Sequence, residues 1–170
     1  MTPRVLGIDP GLNITGYAVL ELSAGGPIIC EAGVVRGKTK DSLTARLYEI
    51  HIGVTEVIAA LKPTCVAIEQ LYSHYERPQT AILMGHARGV ICLAAVQAGL
   101  DVVNYNSTQV KKILTGNGHA SKSQMQHAVQ FELKLDALPK PADVSDALAI
   151  ALCHYYLNRD WKTIAKRKSS

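Results

Sequence analysis

The chain has 170 residues, of which 48% are hydrophobic and 19% are charged. This length suits one domain with a full core and is short for two, and the composition excludes a disordered chain of low hydrophobicity and high charge. The formal net charge of +4 is mild. It favours an anionic partner such as nucleic acid, although ordinary surface charge would give the same value.

The cysteines and the apolar runs bear on the compartment. The four cysteines are far apart and form no CxxC pair, which indicates buried free thiols. The N-terminus has no charged region followed by a long apolar stretch, and no later run reaches the ~18 apolar residues that would span a bilayer. We therefore expect a cytoplasmic protein with no membrane partner.

The predicted elements begin with three short apolar or β-branched runs. Turn signals such as Pro-Gly and Gly-Gly-Pro separate them, so we interpret them as an antiparallel meander. The three strands are Arg4 to Asp9, Gly16 to Leu22 and Ile28 to Arg36. A helix follows from about Ser42 to Leu61, because apolar residues recur there at helical spacing until Pro63 ends the pattern.

After Pro63, strands alternate with helices. The predicted elements are, in order, a strand Cys65 to Glu69, a very apolar helix about Thr80 to Ala98 ended by Gly99, a strand Val102 to Tyr105, two helices with N-caps at Ser107 and Ser121, and a last helix about Ala142 to Asn158. This order predicts a mixed α/β sheet covered by helices. We expect one domain over residues 1–158 and a basic C-terminal tail, residues 159–170, that frays.

Two acidic residues end core strands. Val5 to Ile8 leads directly into Asp9, and Cys65 to Ile68 leads directly into Glu69. Strand ends that lie side by side form the rim of a ligand crevice in an open α/β sheet, so the two acids can face one another there. Asp9 before Pro-Gly could equally be a turn former, whereas Glu69 is a poor turn former.

A second acidic pair lies on the last predicted helix. Asp143 and Asp146 are three residues apart and so project from the same helical face. The neighbouring residues are small or apolar, which indicates a helix packed on the sheet. The two aspartates could also be ordinary acidic residues that complement the helix dipole.

The four acids together suit hard divalent cations. Carboxylate oxygens favour Mg²⁺ or Mn²⁺, and no Cys or His spacing in this chain resembles a zinc site. Two metal ions would serve an in-line phosphodiester displacement, one activating a water and the other stabilising the leaving oxygen. The sequence therefore predicts a Mg²⁺-dependent phosphodiesterase with two ions per site, in which Mn²⁺ can substitute.

The motifs around these acids resemble those of a known family. In chain order they are Gly7-Ile8-Asp9-Pro10-Gly11 with Thr15-Gly16-Tyr17, Ala67-Ile68-Glu69-Gln70, Ala87-Arg88-Gly89-Val90, Gln109-Val110-Lys111, Lys122-Ser123-Gln124 and Ser145-Asp146-Ala147-Leu148-Ala149-Ile150-Ala151. Over essentially the whole chain they resemble the RuvC family of bacterial Holliday-junction resolvases. The resemblance implies a ribonuclease-H-like fold, a mixed five-stranded sheet of three antiparallel strands and then two parallel ones, flanked by helices.

The resemblance also implies the activity and the partners. It predicts a homodimer that makes paired nicks across a four-way DNA junction, leaving ligatable ends, together with the branch-migration complex RuvA-RuvB. Asp9, Glu69, Asp143 and Asp146 match the family's four acidic positions. Some members carry histidine at the third position, so we expect Asp143 to be the least essential ligand.

Five further residues are expected to contact DNA. Lys111 and Lys122 correspond to basic positions near the scissile phosphate, and Lys112 and Arg77 are further candidates for backbone contacts. Lys122 follows Ser121 at a helix start, where amides and an ammonium can bind phosphate together, and we predict that it stabilises developing charge. Tyr72 lies where the family often has phenylalanine, a ring placed to stack on an unpaired base. The alternatives are solvated surface lysines and a loop tyrosine that covers the core.

Other functions stay open at this point. One is a related ribonuclease-H-like enzyme that processes RNA, and another is a non-catalytic junction-binding protein. ATP binding by the segment Gly116 to Ser123 is disfavoured, because it lacks the glycine that precedes the lysine of a phosphate-binding loop. The apolar helix around Ile82 to Val96 could either serve a partner subunit or be fully buried on the sheet.

Overall fold

The computed structural model describes residues 2–23, 25–38, 40–71 and 78–158. Within these ranges it contains five strands and five helices. They are β1 (Arg4–Asp9), β2 (Ile14–Ser23), β3 (Gly26–Arg36), α1 (Leu43–Leu61), β4 (Cys65–Glu69), α2 (Pro78–Gln97), β5 (Asp101–Tyr105), α3 (Ser107–Thr115), α4 (Lys122–Glu132) and α5 (Ala142–Leu157). The basic tail predicted at residues 159–170 lies outside the described residues.

The five strands form one mixed sheet in the order β3-β2-β1-β4-β5. The β1–β2 and β2–β3 pairs are antiparallel, whereas β4 pairs in parallel with both β1 and β5. This confirms the predicted sheet of three antiparallel strands followed by two parallel ones. The parallel part places the carboxyl ends of β1, β4 and β5 along one edge.

Helices cover both faces of the sheet and make two separate cores. On one face, α3, α4 and α5 pack over residues such as Val5, Ala18 and Ala67. On the other face, α1 and α2 pack over Leu6 and Ile8. Because β1 is buried on both sides, it has a continuous apolar run instead of the alternating pattern of a half-exposed strand.

Capping residues explain most of the helix ends. Ser42 caps α1 by accepting a hydrogen bond from the Ala45 amide at 3.3 Å, and Gly99, with φ at +72°, ends α2 as predicted. The prediction of Ser107 as a cap is wrong. Asn106 caps α3, because it has the extended backbone of a cap and its side chain accepts from the Gln109 amide at 2.7 Å.

Helix α2 is apolar on nearly all sides. By length and composition alone, α2 is the one helix in the described part of the chain that could cross a membrane. The core helix of a globular protein passes the same test. Here α2 packs against α1 and β5, as a helix of a globular core does.

The four cysteines are free, as expected. Cys153 is buried, whereas Cys30, Cys65 and Cys92 are partly exposed. The prediction of buried thiols is therefore correct for Cys153 alone.

Candidate active site

The carboxyl ends of β1 and β4 bring two of the predicted acids to the same edge. Ile8 pairs with Ile68 in the parallel register, so Asp9 and Glu69 are the next residues on neighbouring strands. Each is the last residue of its strand and is only partly exposed, after a run of buried residues. The strand-end argument from the sequence therefore places both acids correctly.

The turn after Asp9 is held by Thr15, which is fully buried. The Thr15 hydroxyl donates to the Gly11 carbonyl at 2.7 Å and lies 3.3 Å from the Gly11 amide. A side chain at Gly11 would meet the Ile14 carbonyl oxygen at 2.0 Å, so only glycine fits this turn. The Gly-x-Asp-Pro-Gly motif thus fixes the chain direction directly after the first acid.

Helix α5 delivers the second acidic pair because it crosses β1 and β2 at very short range. A Cβ at Gly7 would lie 2.4 Å from the Ala147 carbonyl oxygen, and a Cβ at Gly16 would lie 2.0 Å from the Asp143 carbonyl oxygen. Two glycines therefore allow the first turns of α5 to rest on the strands. Since Gly16 pairs with Asp9, this contact sets the start of α5 beside the first acid.

The charges of the other three acids act on Asp9. Burial, together with the charges of Asp146, Glu69 and Asp143, raises the pKa of Asp9 to about 8, and the opposing effect of Lys122 is already included in that value. Burial and the charge of Asp146 raise the pKa of Glu69. Burial likewise raises the pKa of Asp146, against the lowering effect of Lys122. A cluster with this much uncompensated negative charge is suited to a cation.

Lys122 forms an ion pair with one of the acids. Its ammonium lies 3.3 Å from Oδ2 of Asp146, with the lysine side chain 64% exposed and the aspartate side chain 34% exposed. Lys122 is the first residue of α4, where Ser121 and Gln124 form a reciprocal capping box. The predicted position of Lys122 at a helix start is correct.

A pocket of about 220 Å³ opens between β4, α3, α4 and α5. Its lining includes four of the predicted site residues, Glu69, Lys111, Lys122 and Asp146. Lys111 faces Glu69 closely enough to lower its pKa. The other lining residues are Ser107, Val110, Met125, Ala149 and Ile150.

Not every predicted residue joins this group. Lys112 is exposed in the last turn of α3 and does not line the pocket. Tyr72 and Arg77 lie outside the described residues.

Two residues near Glu69 were not predicted as site residues. Ser107 lines the pocket together with Glu69, and its hydroxyl lowers the pKa of the Glu69 carboxyl. Arg88 of α2 donates from Nε to the Glu69 carbonyl oxygen at 3.3 Å. The sequence signal for Arg88 was its place in the Ala-Arg-Gly-Val motif, but Ser107 was interpreted only as a helix cap.

The four acids have the donor atoms that a divalent metal needs, but their side chains are not gathered around one point. Among the described residues, no three His, Cys, Asp or Glu side chains already form a group with metal-binding spacing. All four candidate ligands are oxygen donors, as hard cations prefer.

Comparison with known proteins identifies relatives over nearly the whole chain. The family described as "Crossover junction endodeoxyribonuclease RuvC" matches residues 5–154. A crossover junction endodeoxyribonuclease RuvC of Rhodopirellula baltica is 59% identical over 155 residues, which is 90% of this chain and 86% of that protein. Another, from Pseudoalteromonas atlantica, is 44% identical over 92% of this chain and 88% of that protein.

Among solved structures, Thermus thermophilus RuvC in complex with Holliday junction substrate has a TM-score of 0.85 to this chain. It is 34% identical and the match covers 93% of this chain and 96% of that one. The fold and the sequence therefore lead to the same family.

Proposed function

The chain belongs to the RuvC family of crossover junction endodeoxyribonucleases, and from this premise we propose that it resolves four-way DNA junctions by paired symmetric nicks. The reaction is hydrolysis of phosphodiester bonds during DNA recombination and repair. The observation that carries the proposal is the meeting of four carboxylates, Asp9, Glu69, Asp143 and Asp146, beside Lys122. Its solved relative from Thermus thermophilus was captured with a Holliday junction substrate.

We assign the metal site to these carboxylates. RuvC-family nucleases are metal-dependent, and the ion proposed here is Mg²⁺, two per site, with Mn²⁺ able to substitute. Such ions polarise the phosphodiester and supply a metal-activated water when bound. Asp9, Glu69 and Asp146 are the main ligands, because burial raises the pKa of each and a bound cation would stabilise their charged forms. Asp143, on the first turn of α5, is the fourth and least essential ligand.

Lys122 provides the mobile positive charge. In the structure it pairs with Asp146, but its side chain is mostly exposed and has room to turn toward a phosphate in the pocket. Its ammonium would stabilise negative charge that develops on the phosphate during displacement. Lys111 lines the same pocket and would hold the DNA backbone near Glu69.

Further DNA contacts are proposed around this pocket. Lys112 and Arg77 would bind backbone phosphates outside the reacting centre, and Tyr72 would stack on an unpaired base at the junction. Phosphate contacts of this type make binding salt-dependent but carry no sequence information.

We propose that two copies of the chain pair through α2. Its inner face, with Ala87, Ile91 and Ala95, is buried against the core. The opposite face is an exposed stripe at alternating spacings of four and three residues, the pattern of two helices packing along one another. This stripe consists of Ile82, His86, Gly89, Leu93 and Val96, of which Ile82, Leu93 and Val96 are 61%, 51% and 66% exposed.

A second copy is the occupant that fits this stripe best. A four-way junction has two equivalent strands to cut, so a twofold dimer presents one site to each. Gly89 leaves open space at the centre of the stripe, which allows a partner helix to approach closely. The prediction of a homodimer thus has a specific surface.

The dimer is tested with Leu93→Glu, which places a charge in the middle of the stripe. Sedimentation should show a dimer for the wild type and a monomer for the variant, with paired nicking lost. Ile28→Glu is the control, because Ile28 is a similarly exposed apolar residue on β3. A Leu93→Glu protein that remains a dimer would contradict the assignment of this surface.

The cellular context follows from the same premise. We propose that the protein acts in the cytoplasm and receives junctions from the branch-migration complex RuvA-RuvB. The protein should cut junction DNA faster or more symmetrically when that complex is present than when it is absent.

The central experiment is a strand-resolved cleavage assay on a synthetic four-way junction with Mg²⁺. The wild type should cut two opposite strands at symmetric positions. Asp9→Asn should abolish cleavage yet bind the junction with nearly unchanged affinity, because the lost group holds metal and does not grip DNA. Asp136→Asn removes an exposed carboxylate outside the cluster and should cut like the wild type.

The same assay separates the alternative functions. Preferred cutting of RNA hairpins over DNA junctions would indicate an RNA-processing enzyme. Junction binding without cleavage under any divalent ion would indicate a non-catalytic binding protein. Cleavage by Asp9→Asn at the wild-type rate would refute the metal-site assignment.

A further inference from the structure

Two residues beside Glu69 have no role in the proposed reaction. Ser107 lines the same pocket as Glu69, and its hydroxyl lowers the pKa of the Glu69 carboxyl. Arg88 donates to the backbone carbonyl oxygen of Glu69 at 3.3 Å. The same guanidinium also donates from Nη2 to the side-chain oxygen of Asn104. One ligand of the proposed metal site therefore has Ser107 beside its side chain and Arg88 bound to its main chain.

The position of Ser107 follows from the register of the two parallel strands. Glu69 pairs with Tyr105, and the Gln70 amide donates to the Tyr105 carbonyl at 2.8 Å, so β4 and β5 end together. Asn106 then caps α3, and Ser107 is the first helical residue. Because Asn106 does the capping, the hydroxyl of Ser107 is available to Glu69 across the pocket that both residues line.

Arg88 makes its two contacts from α2. It directly follows Ala87, which is fully buried. Asn104 pairs with Ile68, one residue before Glu69, so the guanidinium bridges β4 and β5 where the site begins. A planar fork of donors can hold two acceptors at once, which the single ammonium of lysine does with much less directional control.

We propose that Ser107 and Arg88 form a clamp that positions the Glu69 carboxylate for metal binding; this inference rests on the proposed function. Both are positioning residues, since they act through Glu69. A metal ligand is useful only when its oxygen is held in the coordinating direction, and partners behind a ligand commonly change metal affinity or activity 10–100-fold. The clamp also connects Glu69 to α2, the helix that carries the proposed dimer surface.

The side-chain half of the clamp is tested with Ser107→Ala. Binding of Mn²⁺ is measured by electron paramagnetic resonance without turnover, and junction cleavage is measured in parallel. We expect Mn²⁺ affinity to fall about 10-fold or more, with a matching rise in the ion concentration for half-maximal cleavage. Junction affinity and Tm should stay close to wild type, which a merely structural role would not predict.

Two variants serve as controls. Ser107→Thr keeps the hydroxyl and should restore Mn²⁺ binding. Thr108→Ala removes the neighbouring exposed hydroxyl of α3 and should behave like the wild type. Equal Mn²⁺ affinity in Ser107→Ala and wild type would overturn the side-chain half of the clamp.

The main-chain half is tested with Arg88→Lys, which keeps the charge and loses the two-point contact. We expect a 10-fold or larger loss of maximal cleavage rate and weaker Mn²⁺ binding, with the dimer retained in sedimentation. A variant that loses Tm while its Mn²⁺ affinity is unchanged would show a structural role and overturn this half.

The wild-type controls distinguish failure of the clamp from failure of the proposed function. A wild type that neither binds Mn²⁺ nor cuts junctions would refute the function itself. A wild type that does both, beside variants that match it, would refute only the clamp.

Discussion

Replacing Asp9 with asparagine is expected to stabilise the metal-free protein while abolishing cleavage. Burial and three neighbouring carboxylates raise the pKa of Asp9 from 3.8 to about 8. The unfolded chain releases this proton more readily than the folded one, so the stability of the wild type falls as the pH rises from about 4 to 8. The charged Asp9 carboxylate, which the metal needs as a ligand, therefore destabilises the metal-free folded protein.

The size of the effect follows from the shifted pKa. At about 1.4 kcal/mol for each pKa unit, the rise in pKa sets an upper bound of roughly 5 kcal/mol at pH 7.5. An asparagine must still be desolvated and hydrogen-bonded, and neighbouring groups relax around a charge, so we expect a gain of about 2 kcal/mol. For a domain of this size that gain raises Tm by roughly 4–8 °C.

The assay is urea unfolding followed by circular dichroism in the presence of EDTA, at pH 7.5 and pH 5. The difference between Asp9→Asn and wild type should shrink at pH 5, where less of the penalty is present. Addition of Mg²⁺ should stabilise the wild type more than the variant. Asp136→Asn is the matched control, since Asp136 is exposed outside the cluster. An Asp9→Asn protein no more stable than wild type at pH 7.5 would refute the reasoning.

Three further predictions concern stability. His154 is buried, and burial lowers its pKa. The wild type should therefore lose stability relative to His154→Gln as the pH falls below about 6.5, the ordinary pKa of histidine. Urea titrations at pH 7.5 and pH 5.5 measure this difference. Gly16→Ala should cost about 2–3 kcal/mol and impair cleavage because its Cβ would strike the backbone of Asp143, whereas Gly85→Ala, which meets open space, should leave thermal stability unchanged or slightly higher. Ser42→Ala should cost about 1 kcal/mol by removing the cap of α1, and an unchanged Tm would contradict that.

Much of the fold was predictable because its signals are local. The bounds of β1 and β4 match the prediction residue for residue, since each is an apolar run that ends in an acid. Gly99 ends α2 with a positive φ, as its position after an apolar helical pattern indicated. Asp9 and Glu69 were predictable as neighbours once their strands were expected to lie side by side in a sheet.

Other features depend on contacts between segments that are distant in the chain. Gly7 and Gly16 are needed because α5 rests on their strands, and nothing near them in sequence shows this. The apolar pattern of α2 predicted burial on one side but could not tell whether the opposite side was covered, because a helix that is apolar all round has no preferred face. Only the packed structure shows which residues form the exposed stripe.

Some features of the four-acid cluster were likewise predictable from the sequence, and others depend on the tertiary structure. Residue types and spacing determined which side chains could bind a cation, because strand ends and helical periodicity are properties of the local sequence. Only the tertiary structure shows that burial raises the pKa of Glu69, that Lys122 pairs with Asp146, and that Arg88 donates to the Glu69 carbonyl oxygen. Burial and charge repulsion arise only when separate elements are brought together, so no reading of the chain alone could supply them.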